Sequence, residues 1–264
     1  MSGRTGLRGT LRRLTGRTPP KPVVDQSAAA RKKAARRRAW RQFHDVPADV
    51  KAIAKAAKPW TMTSWDKLFG LIAATQYISR HQIEGSVVEC GVWRGGSMHA
   101  IARALHAAGD VDRDLYLFDT FEGMPEPDEV DVRWDGKSAA ALMSKREKSA
   151  RIWAYASRED VEQGLDTLPY PRERFHLVQG LVEETIPEHA PERIALLRLD
   201  TDWYASTKHE LDHLYDRLVP GGVLIIDDYG SFEGARKAVD EWLEKTNERL
   251  LMIRAGNGRI AVKP

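Results

Sequence analysis

Glu89-Cys90-Gly91-Val92-Trp93-Arg94-Gly95-Gly96-Ser97 is the stretch that decides the fold. The apolar run Ser86–Glu89 leading into it predicts a strand, and Ser97–Ala108, stopped by Gly109, predicts a helix. Working outward, the same alternation repeats. Strands are predicted at Asp114–Phe118, Phe175–Gln179, Ile194–Leu199 and Val223–Ile226, and helices at Glu159–Leu168, Ser206–Leu218 and Ala235–Thr246. Two short strands close the chain, near Leu250–Ile253 and Arg259–Val262. Ahead of the glycine loop, Asp49–Lys58 and Ser64–Arg80 read as helices, the second with Ser64 as N-cap. Such alternation predicts an α/β domain whose mostly parallel sheet is wrapped by helices. Ligands in these sheets lie beyond the carboxyl ends of the strands, so the residue after each strand carries the functional information.

After the first strand, the glycines let a ligand approach the backbone, and the helix N-terminus favours an anion. The spacing is neither a phosphate P-loop nor GxGxxG. Glu89, two residues before the first glycine, suggests a ligand with a cationic group as well. S-adenosylmethionine (SAM) combines an ammonium, a sulfonium and a carboxylate. The alternative reading is a tight strand-to-helix turn. After the second strand, Asp119-Thr120 offers a carboxylate for ribose hydroxyls, or a helix cap. Gln179 and Gly180, after the third, stand where an adenine edge would be read.

The fourth strand ends in Asp200-Thr201-Asp202 and the fifth in Asp227-Asp228. Four carboxylates at one sheet edge repel one another unless a cation lies among them. All-oxygen ligands point to a hard ion, Mg²⁺ first. Asp200 and Asp202 face the same way if the strand continues through them. The alternative is acids capping the following helices. His209-Glu210-Leu211-Asp212-His213 matches the zinc-protease pattern. Both histidines, however, fall off the stripe Leu211, Leu214, Tyr215 and Leu218 and are expected to face solvent. His99 and His106 read as packing or surface residues, Cys90 as a small buried one. Core packing is expected for most of Trp60, Trp65, Trp134 and Trp153.

Composition limits the rest. The formal charge of +3 conceals a split: residues 1–41 carry 13 Lys/Arg against Asp25 alone, hence +12, and the remainder carries −9. Residues 1–45 read as a basic, weakly ordered tail with a possible helix over Ala28–Arg41, and 46–264 as the catalytic domain. The acidic body argues against nucleic acid as a partner. One cysteine excludes a disulfide framework and fits a cytoplasmic location. No apolar run is long enough to span a membrane.

Read together, Trp60-Thr61-Met62-Thr63, Val88–Ser97, Asp119-Thr120-Phe121-Glu122-Gly123-Met124-Pro125, Leu199–Thr207, Pro220-Gly221-Gly222 and Asp227-Asp228-Tyr229 resemble the macrocin O-methyltransferase family over residues 58–245. The resemblance implies a class I SAM-dependent methyltransferase (Rossmann-like) fold with a seven-stranded sheet and helices on both faces. It implies SAM- and Mg²⁺-dependent methylation of a sugar hydroxyl on a glycosylated small molecule, and a homodimer. Asp200, Asp227 and Asp228 would hold the metal, and Asp202 would be the general base. Met62, Glu89, Gly91, Arg94, Gly95, Gly96, Ser97, Asp119, Thr120, Gln179, Gly180 and Asp200 would surround SAM. A substrate lid is expected around Glu126–Ser149, where the match is weakest. Two rivals share parts of this pattern: a catechol-type O-methyltransferase, and an RNA methyltransferase using the basic tail.

Overall fold

The computed structural model describes residues 30–31, 42–144 and 151–264, and the chain divides into two units, Met1–Asp45 and Val46–Pro264. Of the expected basic tail, Ala30 and Arg31, which are helical, and residues 42–45, which form a turn, are described; the rest of it, with most of the expected Ala28–Arg41 helix, lies outside the described residues.

The second unit begins with α1 (Ala48–Ala57) and α2 (Trp65–Arg80), the latter capped by Ser64. Then come β1 (Ser86–Cys90), α3 (Gly96–Ala108), β2 (Leu115–Asp119), α4 (Ala139–Ser144) and α5 (Arg158–Leu165). The rest is β3 (Phe175–Gln179), α6 (Val182–Thr185), β4 (Ile194–Leu199), α7 (Tyr204–Leu214), β5 (Leu218–Ile226), α8 (Glu233–Thr246), β6 (Ile253–Ala255) and β7 (Gly258–Val262). The seven strands form one sheet in the order β3-β2-β1-β4-β5-β7-β6. Five run parallel; β7 is antiparallel to both β5 and β6. The order reverses between β1 and β4, so the ligand crevice of a doubly wound sheet belongs there.

The strands are apolar on both faces because helices cover both. Alternate residues feed two cores. Val87, Leu115, Leu117, Leu196, Val223 and Ile225 pack with α1, α2 and α3. Val88, Phe118, Leu197, Leu199, Leu224 and Ile226 pack against Leu211 and Leu214 of α7 and Val239 and Trp242 of α8. No helix among the described residues is long and apolar enough to cross a membrane.

Several boundaries differ from the expectation; the helix expected over Glu159–Leu168 ends at Leu165, and the strand expected at Val223–Ile226 begins at Leu218. The helix predicted over Ser206–Leu218 stops at Leu214, passes through a 3₁₀ turn (Tyr215–Arg217), and gives way to β5 at Leu218. The apolar spacing continues through all three because Leu211, Leu214, Tyr215 and Leu218 bury into the same core. The strand expected near Leu250–Ile253 begins only at Ile253.

Candidate active site

The period-two alternation of the strands assembles the site. Val87 and Glu89, Leu196 and Arg198, and Ile225 and Asp227 continue the face covered by α1, α2 and α3. In register, Glu89 pairs with Arg198, and Arg198 with Ile225. An arginine inside the otherwise apolar β4 is therefore set among acids. Arg198 is 1% exposed and donates to Glu89 (2.5 Å), Asp200 (2.7 Å) and Asp227 (2.7 Å). A second cation comes from α2: Lys67 Nζ donates to the Asp227 carbonyl (2.8 Å) and to its carboxylate Oδ2.

Lys67, Asp200 and Asp227 border a cavity of about 370 Å³ at the carboxyl ends of the parallel strands. It is large enough for a drug-sized ligand. Gly91, Val92 and Trp93 after β1, Asp119 at the end of β2 with Thr120 after it, and Gly180 after β3 form one part of its wall. Asp200 and Asp202 after β4, with Asp227 and Asp228 after β5, form another; Met62, Lys67 and Ser97 complete it. Gly91 is irreplaceable by geometry. Its φ is +82°, and a Cβ there would lie 2.2 Å from the Asp200 carbonyl oxygen.

Asp119 holds the glycine loop as well as facing the cavity. Its Oδ2 accepts from the backbone N–H of Val92 (2.7 Å) and Trp93 (2.9 Å), and its Oδ1 from Phe121 (2.7 Å). Burial raises its pKa, and these three bonds oppose the rise.

Of the residues the sequence nominates for SAM, Met62, Gly91, Ser97, Asp119, Thr120, Gly180 and Asp200 line the cavity. Glu89, Arg94, Gly95, Gly96 and Gln179 do not line it. Glu89 is wholly buried against Arg198, and burial pushes its pKa up to about 7 even with that guanidinium beside it. Arg94 instead pairs with Asp160 (2.6 Å) and lies over the Trp60 ring. Gly95 and Gly96 are buried at the start of α3, and a Cβ on Gly96 would strike Thr61 at 2.4 Å. Gln179 is exposed at the end of β3.

Asp200, Asp227 and Asp228 each present an oxygen within 4.8 Å of the others'. Asp228 Oδ2 is buried and has no hydrogen-bond partner. Burial and neighbouring carboxylates raise the pKa of Asp200 and Asp228. Burial would raise Asp227 too, but Arg198 and Lys67 overcome it and hold that carboxyl at about 2. Asp202 does not continue the line of Asp200: β4 ends at Leu199, and Asp202 takes φ +68° in the following turn. Burial, with Asp200 and Asp227 nearby, pushes its pKa up to about 7.

Other expectations change. Trp134 is 71% exposed, on a short hairpin where Val132 bridges Ser138. Within the expected lid, Asp131 is buried and accepts from the backbone N–H of Tyr204 (2.8 Å) and Asp128 (2.9 Å). It therefore caps α7 and anchors this loop, a role its charge alone did not disclose. Residues 145–149 of that lid lie outside the described residues. His213 is exposed, as expected, but His209 is half-buried with Nε2 2.9 Å from the Ile186 carbonyl. His99 is wholly buried and stacks on Trp60. Sequence reasoning passed over Arg198 and Lys67; the legible signal was a lone arginine within the apolar run Ile194–Leu199.

The fold and cavity define a class I SAM-dependent methyltransferase. The sequence profile described as macrocin-O-methyltransferase (TylF) matches residues 16–254, and the chain belongs to that family. Among relatives, it is 32% identical over 182 residues to an 8-demethyl-8-(2,3-dimethoxy-alpha-L-rhamnosyl)-tetracenomycin-C 4'-O-methyltransferase of Streptomyces olivaceus, covering 69% of this chain and 67% of that one. It is 32% identical over 186 residues to mycinamicin III 3''-O-methyltransferase of Micromonospora griseorubida, covering 70% of each. Among solved structures, the O-methyltransferase NovP superposes with TM-score 0.67 at 27% identity, over 77% of this chain and 82% of that one. The calicheamicin methyltransferase CalS11 superposes with TM-score 0.60 at 17% identity, over 90% and 94%, a likeness of fold.

Proposed function

We infer that this enzyme methylates a hydroxyl of a sugar on a glycosylated natural product in antibiotic biosynthesis, with a hard divalent cation, Mg²⁺ first, in the site. The observation that carries the reading is the acidic set beside the cavity, with one buried carboxylate oxygen, on Asp228, left without a partner. Three carboxylates suit a hard cation, and an orphaned buried oxygen is costly unless something binds it. Asp200, Asp227 and Asp228 would hold the ion. When bound, it supplies Lewis acidity that makes a sugar hydroxyl easier to deprotonate.

SAM, when bound, supplies an electrophilic methyl group. The chain's own residues do the rest. Asp119 would take the ribose hydroxyls, while its bonds to Val92 and Trp93 keep the glycine loop shaped for the cofactor. Ser97, at the start of α3, and Gly91 would face the amino-acid end. Met62, Thr120 and Gly180 would complete the wall, with Gly180 against the adenine. Asp202 accepts the proton of the acceptor hydroxyl at its carboxylate. Burial and the neighbouring carboxylates lift that carboxyl towards neutrality, the range that suits a general base. Close packing of acceptor and donor in one cavity removes water and fixes the line of transfer.

The sugar acceptor follows from the relatives, one of which is named for a rhamnosyl substrate. The reading includes a homodimer in the cytoplasm. A panel of glycosylated natural products, their aglycones and simple catechols, assayed with methyl-labelled SAM, tests it. Transfer to glycosides alone is expected; preferential transfer to catechols would favour the phenolic rival.

A further inference from the structure

We propose that Lys67 is a tethered counter-ion that competes with the divalent cation for Asp227, so that metal enters the site by displacing an ammonium. The inference rests on the metal reading above. Both oxygens of the Asp227 carboxylate are already taken: Oδ1 by Arg198 and Oδ2 by Lys67. Lys67 also binds the Asp227 carbonyl at 2.8 Å, so it is aimed at this one residue.

The two cations differ in freedom. Arg198 is sealed in β4, 1% exposed, and bound to three carboxylates. Lys67 arrives from α2 on a flexible four-carbon stem, and it lines the cavity itself. Four carboxylates line this end of the cavity, Asp200, Asp202, Asp227 and Asp228, against these two cations. Arg198 also serves Glu89, so five carboxylates share these two cations, and with all of them ionised the cluster keeps an excess of negative charge that a divalent ion would reduce. A hard cation binds carboxylate oxygens at about 2.0–2.6 Å. With an ammonium on the same Asp227 oxygen, two positive centres would stand only a few ångströms apart and repel strongly. Of the two, Lys67 is the one able to swing away. Its charge therefore weakens metal affinity and holds the cluster together before metal arrives.

Calorimetric titration of Mg²⁺, and of Mn²⁺ in parallel, into the full chain tests this. Lys67→Met is expected to bind metal roughly tenfold tighter or more than the wild type, and Lys67→Arg, which keeps the charge, to bind as weakly. Lys67→Met without metal should also melt lower, and gain more on adding Mg²⁺. Equal or weaker affinity in Lys67→Met overturns the inference while leaving the metal reading intact. Absence of binding in all three chains overturns both. Should Lys67→Met fail to fold, the wild type suffices. Acylation of Lys67 by a small active ester, read by peptide mass, should rise on adding Mg²⁺. Labelling unchanged by a metal that binds counts against displacement.

Discussion

Replacing Arg198 by methionine tests how the acidic site is held together. Arg198 is 1% exposed and serves Glu89, Asp200 and Asp227 at 2.5–2.7 Å. Methionine keeps the apolar stem and removes the charge. Of the three acids, Asp227 retains Lys67, and Asp200 can reach solvent because its side chain is 25% exposed. Glu89 has neither recourse: its side chain is 1% exposed. Removing one partner of a buried ion pair costs about 3–5 kcal/mol, because the other is left buried and unpaired. For a domain of this size, that corresponds to a fall in Tm of about 6–20 °C. Denaturant unfolding of the wild type, Arg198→Met, Glu89→Gln and the double variant forms the assay. The double variant should be more stable than Arg198→Met by at least about 1 kcal/mol, since the stranded carboxylate is gone. The deficit of Arg198→Met should also shrink below pH 7. Glu89 already sits at about 7 with its partner, and loss of Arg198 raises it further, so acid neutralises it. If Arg198→Met unfolds within 1 kcal/mol of the wild type, or if the double variant recovers nothing, Glu89 does not depend on Arg198.

Asp202→Asn should lower turnover by about 10²–10⁴-fold while leaving calorimetric affinity for S-adenosylhomocysteine close to wild type. Asp131→Ala removes the cap on α7 and should cost about 1–2 kcal/mol, read as a lower Tm. His99 is buried and held at about 4, by burial first and then by Arg103 and Arg94. The unfolded chain protonates His99 near its ordinary 6.5 and the folded chain does not, so stability is lost as pH falls from 6.5 towards 4. The loss is about 3 kcal/mol, and His99→Phe should abolish that part of the pH dependence of unfolding.

The fold was legible because its signals are local. Apolar runs of strand length, each followed by glycine or acid and then a helix, identify a doubly wound sheet without any long-range information. Part of the cavity wall was legible for the same reason, since Gly91, Gly180, Asp200 and Asp227 directly follow strands and Asp119 ends one. What stayed hidden depends on register and on approach from elsewhere in the chain. Glu89 reads as a cofactor-facing acid, and only the alignment of β1 with β4 shows that Arg198 stands beside it. Lys67 reaches Asp227 across 160 positions of sequence. Asp202 leaves the strand direction through a single positive φ, which no side-chain pattern announces. Asp131 looks like a lid charge until the N-terminus of α7 is found on top of it.

In the proposed mechanism, the carboxylates ending β4 and β5 work with a divalent cation. Methyl transfer from labelled SAM to an acceptor found in the glycoside panel, after exhaustive chelation, tests it most directly. Transfer should fall to background, return on adding Mg²⁺, and not return in Asp228→Asn. Undiminished transfer by the chelated, metal-free enzyme would contradict it.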